Sequence, residues 1–476
     1  MPTTGSRMPN NPMRRRAAFL ACVILAATLV PLPAANQEKT APRRGAIRHV
    51  ILVSIDGLPP AAYLDPDKYG LKVPTLREMA RNGAVSDGAQ SVFPTLTYPA
   101  HTSIATGVNP GTHGIVANET LDPEERNDRG WRWYAEDIRV PTLWDAARVR
   151  GLRTALVGWP VTVGARAKSL VPEYWRAGNA EDVKLLKVLA TPGLLDKVAA
   201  RSPSFWEGYT PPGIKDATYT DIATYLIETE QPHLLMLHIF EVDHWQHRKG
   251  PFTAEARAAI ENADAQLARL IAAAKKAGIW QQTALVVVSD HGVAPFQMRF
   301  RPGVHMAQHG LVTLDERGRV TDWRAAVLPG HGIAYVYLKD ANDARTLREA
   351  RELFESLAGK PGSGIERIYS PEEIRVLGGD PQAAFALGAQ EGYDFASGYS
   401  GDVFFPVGTS VAGHGYDPRL QSMQASLLMF GPAIAPAKIK DARLIDVAPT
   451  VASWLELRMT GMEGKALAAR PGTTPR

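Results

Sequence analysis

The chain has 476 residues, 45% of them hydrophobic and 21% charged, which excludes a disordered or multi-span membrane protein. Its formal charge of +4 comes from Arg7, Arg14, Arg15 and Arg16, so the rest is about neutral. Nothing global points to a nucleic-acid polymer or an anionic membrane as partner. The single cysteine, Cys22, lies in the same N-terminal stretch, and its removal would exclude thiol chemistry and disulfides.

In chain order, residues 1–35 read as a signal peptide. Three arginines at 14–16 precede the apolar run 17–30. That run is shorter than the about 20 residues a spanning helix needs. Leu32-Pro33-Ala34-Ala35 then supplies a helix break and small residues for cleavage. The expectation is an exported protein, periplasmic or secreted. An uncleaved leader is the alternative, and would be the only membrane contact. Lipidation at Cys22 is disfavoured, because the residue lies inside the apolar run and not after it.

Residues 36–46 are a polar linker. Buried strands are expected at 49–55, 154–158, 234–240, 284–288 and 425–430, where aliphatic and β-branched residues run unbroken. Helices are expected at 73–82, 254–277, 340–358 and 446–455; the first three stop at Gly83, Gly278 and Gly359. Strands alternating with helices predict an α/β/α sandwich with a mostly parallel central sheet. The catalytic core would comprise 46–295 and 401–457. Residues 296–400, richer in short strands, Gly and Pro, would form an inserted cap or side subdomain.

Four segments at strand ends or loop starts carry the chemistry. Asp56-Gly57 follows the first strand; alone, such a pair is more often a plain turn than a metal ligand. The stretch from Phe93 to Ser103 places hydroxyls before a helix, where phosphate meets free N–H groups and the positive dipole end. Thr97 or Thr95 is the candidate nucleophile there, although for this segment alone N-capping is the better explanation of such hydroxyls. Asp243 and His247 are four apart, so a helix would put both on one face. A carboxylate and an imidazole so spaced can chelate a cation such as zinc. Asp290-His291 follows the strand at 284–288. His414 sits between glycines, as does His331, and His309 precedes one. Spacing does not choose between His414 and His331, and His309 is a lesser rival.

Together these residues resemble a known group. Pro94-Thr95-Leu96-Thr97-Tyr98-Pro99, then Thr106-Gly107, Pro110, His113-Gly114-Ile115 and Asn118, form a long ordered correspondence. Trp159-Pro160, Gly250-Pro251 and His414-Gly415-Tyr416-Asp417 extend it. The chain resembles the nucleotide pyrophosphatase/phosphodiesterase family of the alkaline phosphatase superfamily, over about residues 46–300 and 400–457.

The resemblance implies an alkaline phosphatase-like fold and a metal-dependent phosphodiesterase acting through a phospho-threonine. It makes Thr97 the nucleophile. It implies two divalent metal ions, zinc by the mixed N/O donor set. One would be held by Asp56, Asp290, His291 and Thr97; the other by Asp243, His247 and His414. Asn118 would donate to a phosphoryl oxygen, helped by the Thr97–Tyr98 backbone. Tyr98, by its place beside the nucleophile, would either stack on a base or aryl group or, equally, pack beside Pro99. The implied partner is a small phosphodiester or nucleotide. Two departures bear on substrate preference: Ala100 stands where the family has Asn, and Gln246 where it has Gly.

A phosphomonoesterase on the same scaffold is the nearest rival, with Arg166 and Lys168 as candidate holders of a terminal phosphate. A sulfatase would need a Cys or Ser in place of Thr97. A phosphomutase would need a serine and no leader. A non-catalytic binding protein would have lost ligands, and none is missing here.

Overall fold

Long aliphatic runs bury both faces of a strand, and eight strands here build one central sheet. The computed structural model describes residues 46–127, 130–174, 180–202, 204–209 and 215–467. The leader expected at 1–35 lies outside them. The strands are β1 (His49–Ile55), β2 (Ala84–Ser86), β3 (Thr154–Val157), β4 (Ser169–Val171), β5 (Leu234–Ile239), β6 (Thr283–Val288), β7 (Leu427–Phe430) and β8 (Ala437–Ile439). Their spatial order is β8-β2-β7-β6-β1-β5-β3-β4. β1 pairs in parallel with β5 and β6, β3 with β4 and β5, and β2 with β8. Only β7 is reversed, running against β6 and β2. The sheet is mostly parallel, as expected.

Both faces are covered. Because side chains alternate along a strand, Ile51, Val53 and Ile55 of β1 enter one core while Val50 and Leu52 enter the other. Helices α1 (Pro74–Asn82), α3 (Asp216–Glu230) and α5 (Ala254–Lys276) cover the first face; α2 (Thr97–Thr106) and α6 (Val447–Trp454) cover the second. A further helix, α4 (Glu241–Lys249), directly follows β5. On α5, Ile260, Ala263, Leu267, Leu270 and Ala274 recur at helical spacing and are buried. Each such Leu or Ile contributes roughly 1.5–3 kcal/mol, so Leu267→Asp would undo this face.

Between residues 294 and 413 the chain builds outside the central sheet. One antiparallel sheet orders Ala325–Gly330, Ile333–Leu338, Phe385–Ala389 and Ile365–Tyr369. Its core gathers Phe300, Phe354 and Phe385. The helix expected at 340–358 is shorter, Ala344–Glu355, because Asp343 caps it by accepting from the N–H groups of Arg345 and Thr346. A second small sheet centres on Ala294–Phe300, which pairs with Gly392–Phe395, Phe404–Pro406 and Ala412–Gly413. Among the described residues no helix is long and apolar enough to cross a membrane.

Candidate active site

Parallel neighbours end at the same edge. Ser54 of β1 registers with His238 of β5 and Val288 of β6, so Asp56, α4 and Asp290 emerge side by side. Asp216 makes the sharp entry into α4 tolerable: its Oδ1 accepts from Phe240 N at 2.8 Å and Glu241 N at 3.2 Å. Those donors would otherwise be orphaned at the helix start. One helical turn then sets His247 Nε2 3.3 Å from Asp243 Oδ2.

His291 joins the groups from the other strands. Its Nε2 lies 3.0 Å from Asp290 Oδ2, 3.4 Å from Asp56 Oδ1 and 3.3 Å from Thr97 Oγ1. Asp290 Oδ1 accepts from Gly57 N at 3.1 Å, which ties the turns after β1 and β6 together. Thr97 opens α2 and presents its hydroxyl to this cluster. Thr95 does not: it is buried and its hydroxyl donates to the Tyr416 carbonyl at 3.0 Å.

Two Gly-His-Gly segments dock backbone to backbone. Gly332 N donates to His414 O at 3.0 Å. At Gly415, φ is +78°, and an added Cβ would lie 1.9 Å from Gly330 O, so only glycine fits. His414 and His331 therefore both reach the site, with ring centroids 5.0 Å apart. His309 is exposed on the helix end after Pro302–Gln308, bonded to His305 O.

The donor atoms converge in three overlapping groups: Asp56, Asp290 and His291; Asp243, His291 and His414; His247, His331 and His414. Within each, the atoms lie within 4.8 Å of one another. The residues fit cations on a direct test. Asp56 Oδ1, Asp243 Oδ1 and Asp290 Oδ2 are buried oxygens with no hydrogen bond, a costly state for a carboxylate that nothing neutralises. Burial, with Asp290 and Asp243 beside it, pushes the Asp56 carboxyl well up. Burial, with His291, His331 and His247 nearby, pushes His414 well down, so it is neutral and able to ligate.

A hydrogen-bond chain supports this cluster from behind. His238 Nε2 meets Asp56 Oδ2 at 3.1 Å and its Nδ1 meets Glu173 Oε2 at 3.0 Å. Glu173 Oε1 accepts from the Tyr98 hydroxyl at 3.1 Å. His101, one turn after Thr97, donates from Nδ1 to Thr97 O at 2.8 Å. Burial, then His238, pushes His101 down to about 3. Gln246, the departure noted above, is buried and donates to Gly57 O at 2.9 Å, tying α4 to the turn after β1.

Two details concern Tyr98. Tyr98 is wholly buried, edge-on to Trp131 and Trp133 at 5.2 and 6.0 Å, so its ring offers no open face. The Tyr98 N–H donates to Asn118 Oδ1 at 2.9 Å, which orients the Asn118 side chain. Asn118 lines a cavity of about 390 Å³ together with Trp131, Arg299, Arg301, His331 and Phe405. Trp131, Arg299, Arg301 and Phe405 carry no motif that points to them, whereas His331 already stood as a rival to His414. They come from loops and short strands outside the four strand-end segments.

A profile of the type I phosphodiesterase/nucleotide pyrophosphatase family matches residues 50–417. The chain belongs to that family. Human ectonucleotide pyrophosphatase/phosphodiesterase family member 1 is 24% identical over 251 residues, 51% of this chain but 23% of that protein. The chain thus spans about a quarter of that relative's length. Mouse bis(5'-adenosyl)-triphosphatase enpp4 is 26% identical over 443 residues, covering 89% of this chain and 79% of that protein. The solved structure of human ectonucleotide pyrophosphatase/phosphodiesterase 5 superposes with a TM-score of 0.60 at 20% identity, covering 88% of this chain and 97% of that chain. An inactive murine form in complex with AMP gives 0.57 at 22% identity, with the same coverage. The fold is therefore shared, in its alkaline phosphatase-like form.

Proposed function

We propose that this family member hydrolyses phosphodiester or pyrophosphate bonds of small nucleotide-like substrates, with Thr97 as nucleophile. One observation carries the reading: the Thr97 hydroxyl stands beside His291 at 3.3 Å, in a cluster where Asp56, Asp243 and Asp290 each hold one buried oxygen without a hydrogen bond. Asp56, Asp290, His291 and Thr97 would hold one divalent cation; Asp243, His247 and His414 would hold the other. Zinc suits this mixed donor set. When bound, the cations supply positive charge against the oxygens around phosphorus.

Thr97 Oγ forms a bond to phosphorus while the bond to the leaving oxygen breaks in line. The phospho-threonine keeps the substrate's remaining ester. Water then displaces Thr97 and restores its hydroxyl. Over the cycle one water is consumed, its hydroxyl ending on phosphorus and a proton on the leaving group. The Asn118 amide, with Oδ1 held by Tyr98 N, turns its Nδ2 donor to a phosphoryl oxygen. Residues 296–400 act as a cap whose Arg299 and Arg301 face the substrate's outer part, with Trp131 as the ring beside it.

The monoesterase alternative loses its anchor, because Arg166 and Lys168 are exposed and do not line the cavity. Hydrolysis of a nitrophenyl monoester and its nucleotide diester, compared on the zinc-loaded protein, tests the choice; a large monoester preference overturns it. Thr97→Ala should abolish turnover, and acid-quenched wild type should carry a mass adduct mapped to Thr97. Full turnover by Thr97→Ala removes the assigned nucleophile. Export follows the leader reading: the mature protein should begin after residue 35 in the periplasm or medium.

A further inference from the structure

Sequence spacing leaves His331 and His414 as rivals, and the fold brings both to the same place. His331 belongs to a group with His247 and His414 whose donor atoms lie within 4.8 Å of one another. All three imidazoles share one arrangement. His247 Nδ1 meets Ala412 O at 2.7 Å, His414 Nδ1 meets Thr95 O at 2.9 Å, and His331 Nδ1 meets Asp394 Oδ1 at 2.9 Å. Each Nδ1–H is committed to an oxygen, which fixes the tautomer and leaves Nε2 with its lone pair. This is the outer-sphere pattern of metal-ligating histidines, and only His331 has it from a carboxylate.

Asp394 is itself buried, and its other oxygen lies 3.2 Å from Arg299 Nε. The His331 backbone is held from both sides. Phe395 N donates to its carbonyl at 2.9 Å, and the next residue, Gly332, donates to His414 O at 3.0 Å. Its φ of +59° is uncommon for a residue with a Cβ. Such strain persists only where surroundings over-determine it, and it gathers at functional sites.

We infer that His331 is a further protein ligand of the second cation, beside Asp243, His247 and His414, delivered by the inserted segment and buttressed by Asp394. The inference rests on the binuclear reading above. It gives that cation three imidazoles and one carboxylate, a donor set that favours zinc over magnesium or calcium.

The variant that respects the backbone is His331→Gly, since glycine adopts φ near +60° without cost. The probe is zinc itself, titrated against a chromogenic chelator, with the absorption spectrum of the cobalt-substituted protein as second readout. Wild type should take up two zinc ions. His331→Gly should hold one of them at least ten- to hundredfold more weakly, on the order of what even an outer-sphere loss costs. Its cobalt spectrum should change, and added imidazole should restore both. Asp394→Asn should weaken the same ion to a smaller extent. If His331→Gly keeps the wild-type titration and cobalt spectrum, His331 is no ligand, and any loss of turnover would make it a substrate-facing residue. If wild type takes up no zinc, the binuclear reading falls and this inference with it.

Discussion

The backbone N–H of Tyr98 donates to Oδ1 of Asn118 across 2.9 Å. This bond settles which way the amide faces, because the N–H donates and of the two amide atoms only the oxygen can accept. Asn118→Asp keeps that acceptor but removes the Nδ2 donor and adds negative charge. The expected loss in kcat is roughly 10²–10³, the range for removing one donor to a developing oxyanion. Asn118→Ala should lose a similar factor. Steady-state hydrolysis of a nitrophenyl diester measures both. An Asn118→Asp enzyme within tenfold of wild type would reduce Asn118 to a buttress for the α2 start.

His238 sits inside β5 yet touches a proposed ligand, with Nε2 3.1 Å from Asp56 Oδ2. Loss of such an outer-sphere partner costs roughly 10- to 100-fold in metal affinity or activity. His238→Ala should weaken the cation held by Asp56 and leave the cation near His414 in place. Zinc competition titration reads the two sites separately. Equal weakening of both would mean that His238 acts only through general stability.

Acid sensitivity has an identifiable contributor in His113. Ile115 N donates to its Nδ1 at 3.1 Å, and its Nε2 meets Ser103 Oγ at 2.9 Å, which fills both ring nitrogens of the neutral form. Burial pushes this imidazole down to about 3 from 6.5. Between those values the unfolded chain binds a proton that the folded one does not. The stabilising contribution is therefore present above about pH 6.5 and lost as pH falls toward 3. From pH 7 to 5 the loss is about 2 kcal/mol. His113→Asn should be less stable at pH 7, but its urea-derived stability should fall by about that much less between the two pH values. An unchanged pH dependence would show that His113 is charged in the fold.

Chelation should destabilise the protein. Asp56, Asp243 and Asp290 are packed with unsatisfied oxygens, so a cation that binds only the folded state shifts the unfolding equilibrium. Each ion present at a hundred times its Kd adds about 2.7 kcal/mol. Dialysis against EDTA should lower Tm by several degrees and zinc should restore it. A Tm indifferent to both treatments would count against resident cations.

The parts of the site written as strand-end motifs were legible from sequence. Asp56, Asp290 and the Asp243–His247 pair follow apolar runs, and a parallel sheet brings such ends to one edge. Thr97 was separable from Thr95 only by family resemblance; in the fold, the Tyr416 carbonyl occupies the Thr95 hydroxyl. His238 lies within the run Leu234–Ile239, where a histidine looks like an interior residue, and its role appears only when the strand beside it is known. His331 and His414 have the same local pattern because they are halves of one backbone contact, and no spacing rule separates partners. Trp131, Arg299, Arg301 and Phe405 converge through tertiary packing alone. The reversed β7 was equally hidden, since an apolar strand does not announce its direction.

The strand Ala412–Gly413 pairs with Pro295 and Ala294, where the excursion from the central sheet begins. Departure and return are thus stitched at one seam, and His414 is the first residue beyond it. Grafting a foreign loop between 296 and 411 would carry away His331 with the substrate wall and loosen the hinge that aims His414. If the proposed ligands hold, selectivity and metal retention would be inherited as a package, and exchanging one without rebuilding the other would leave an empty scaffold.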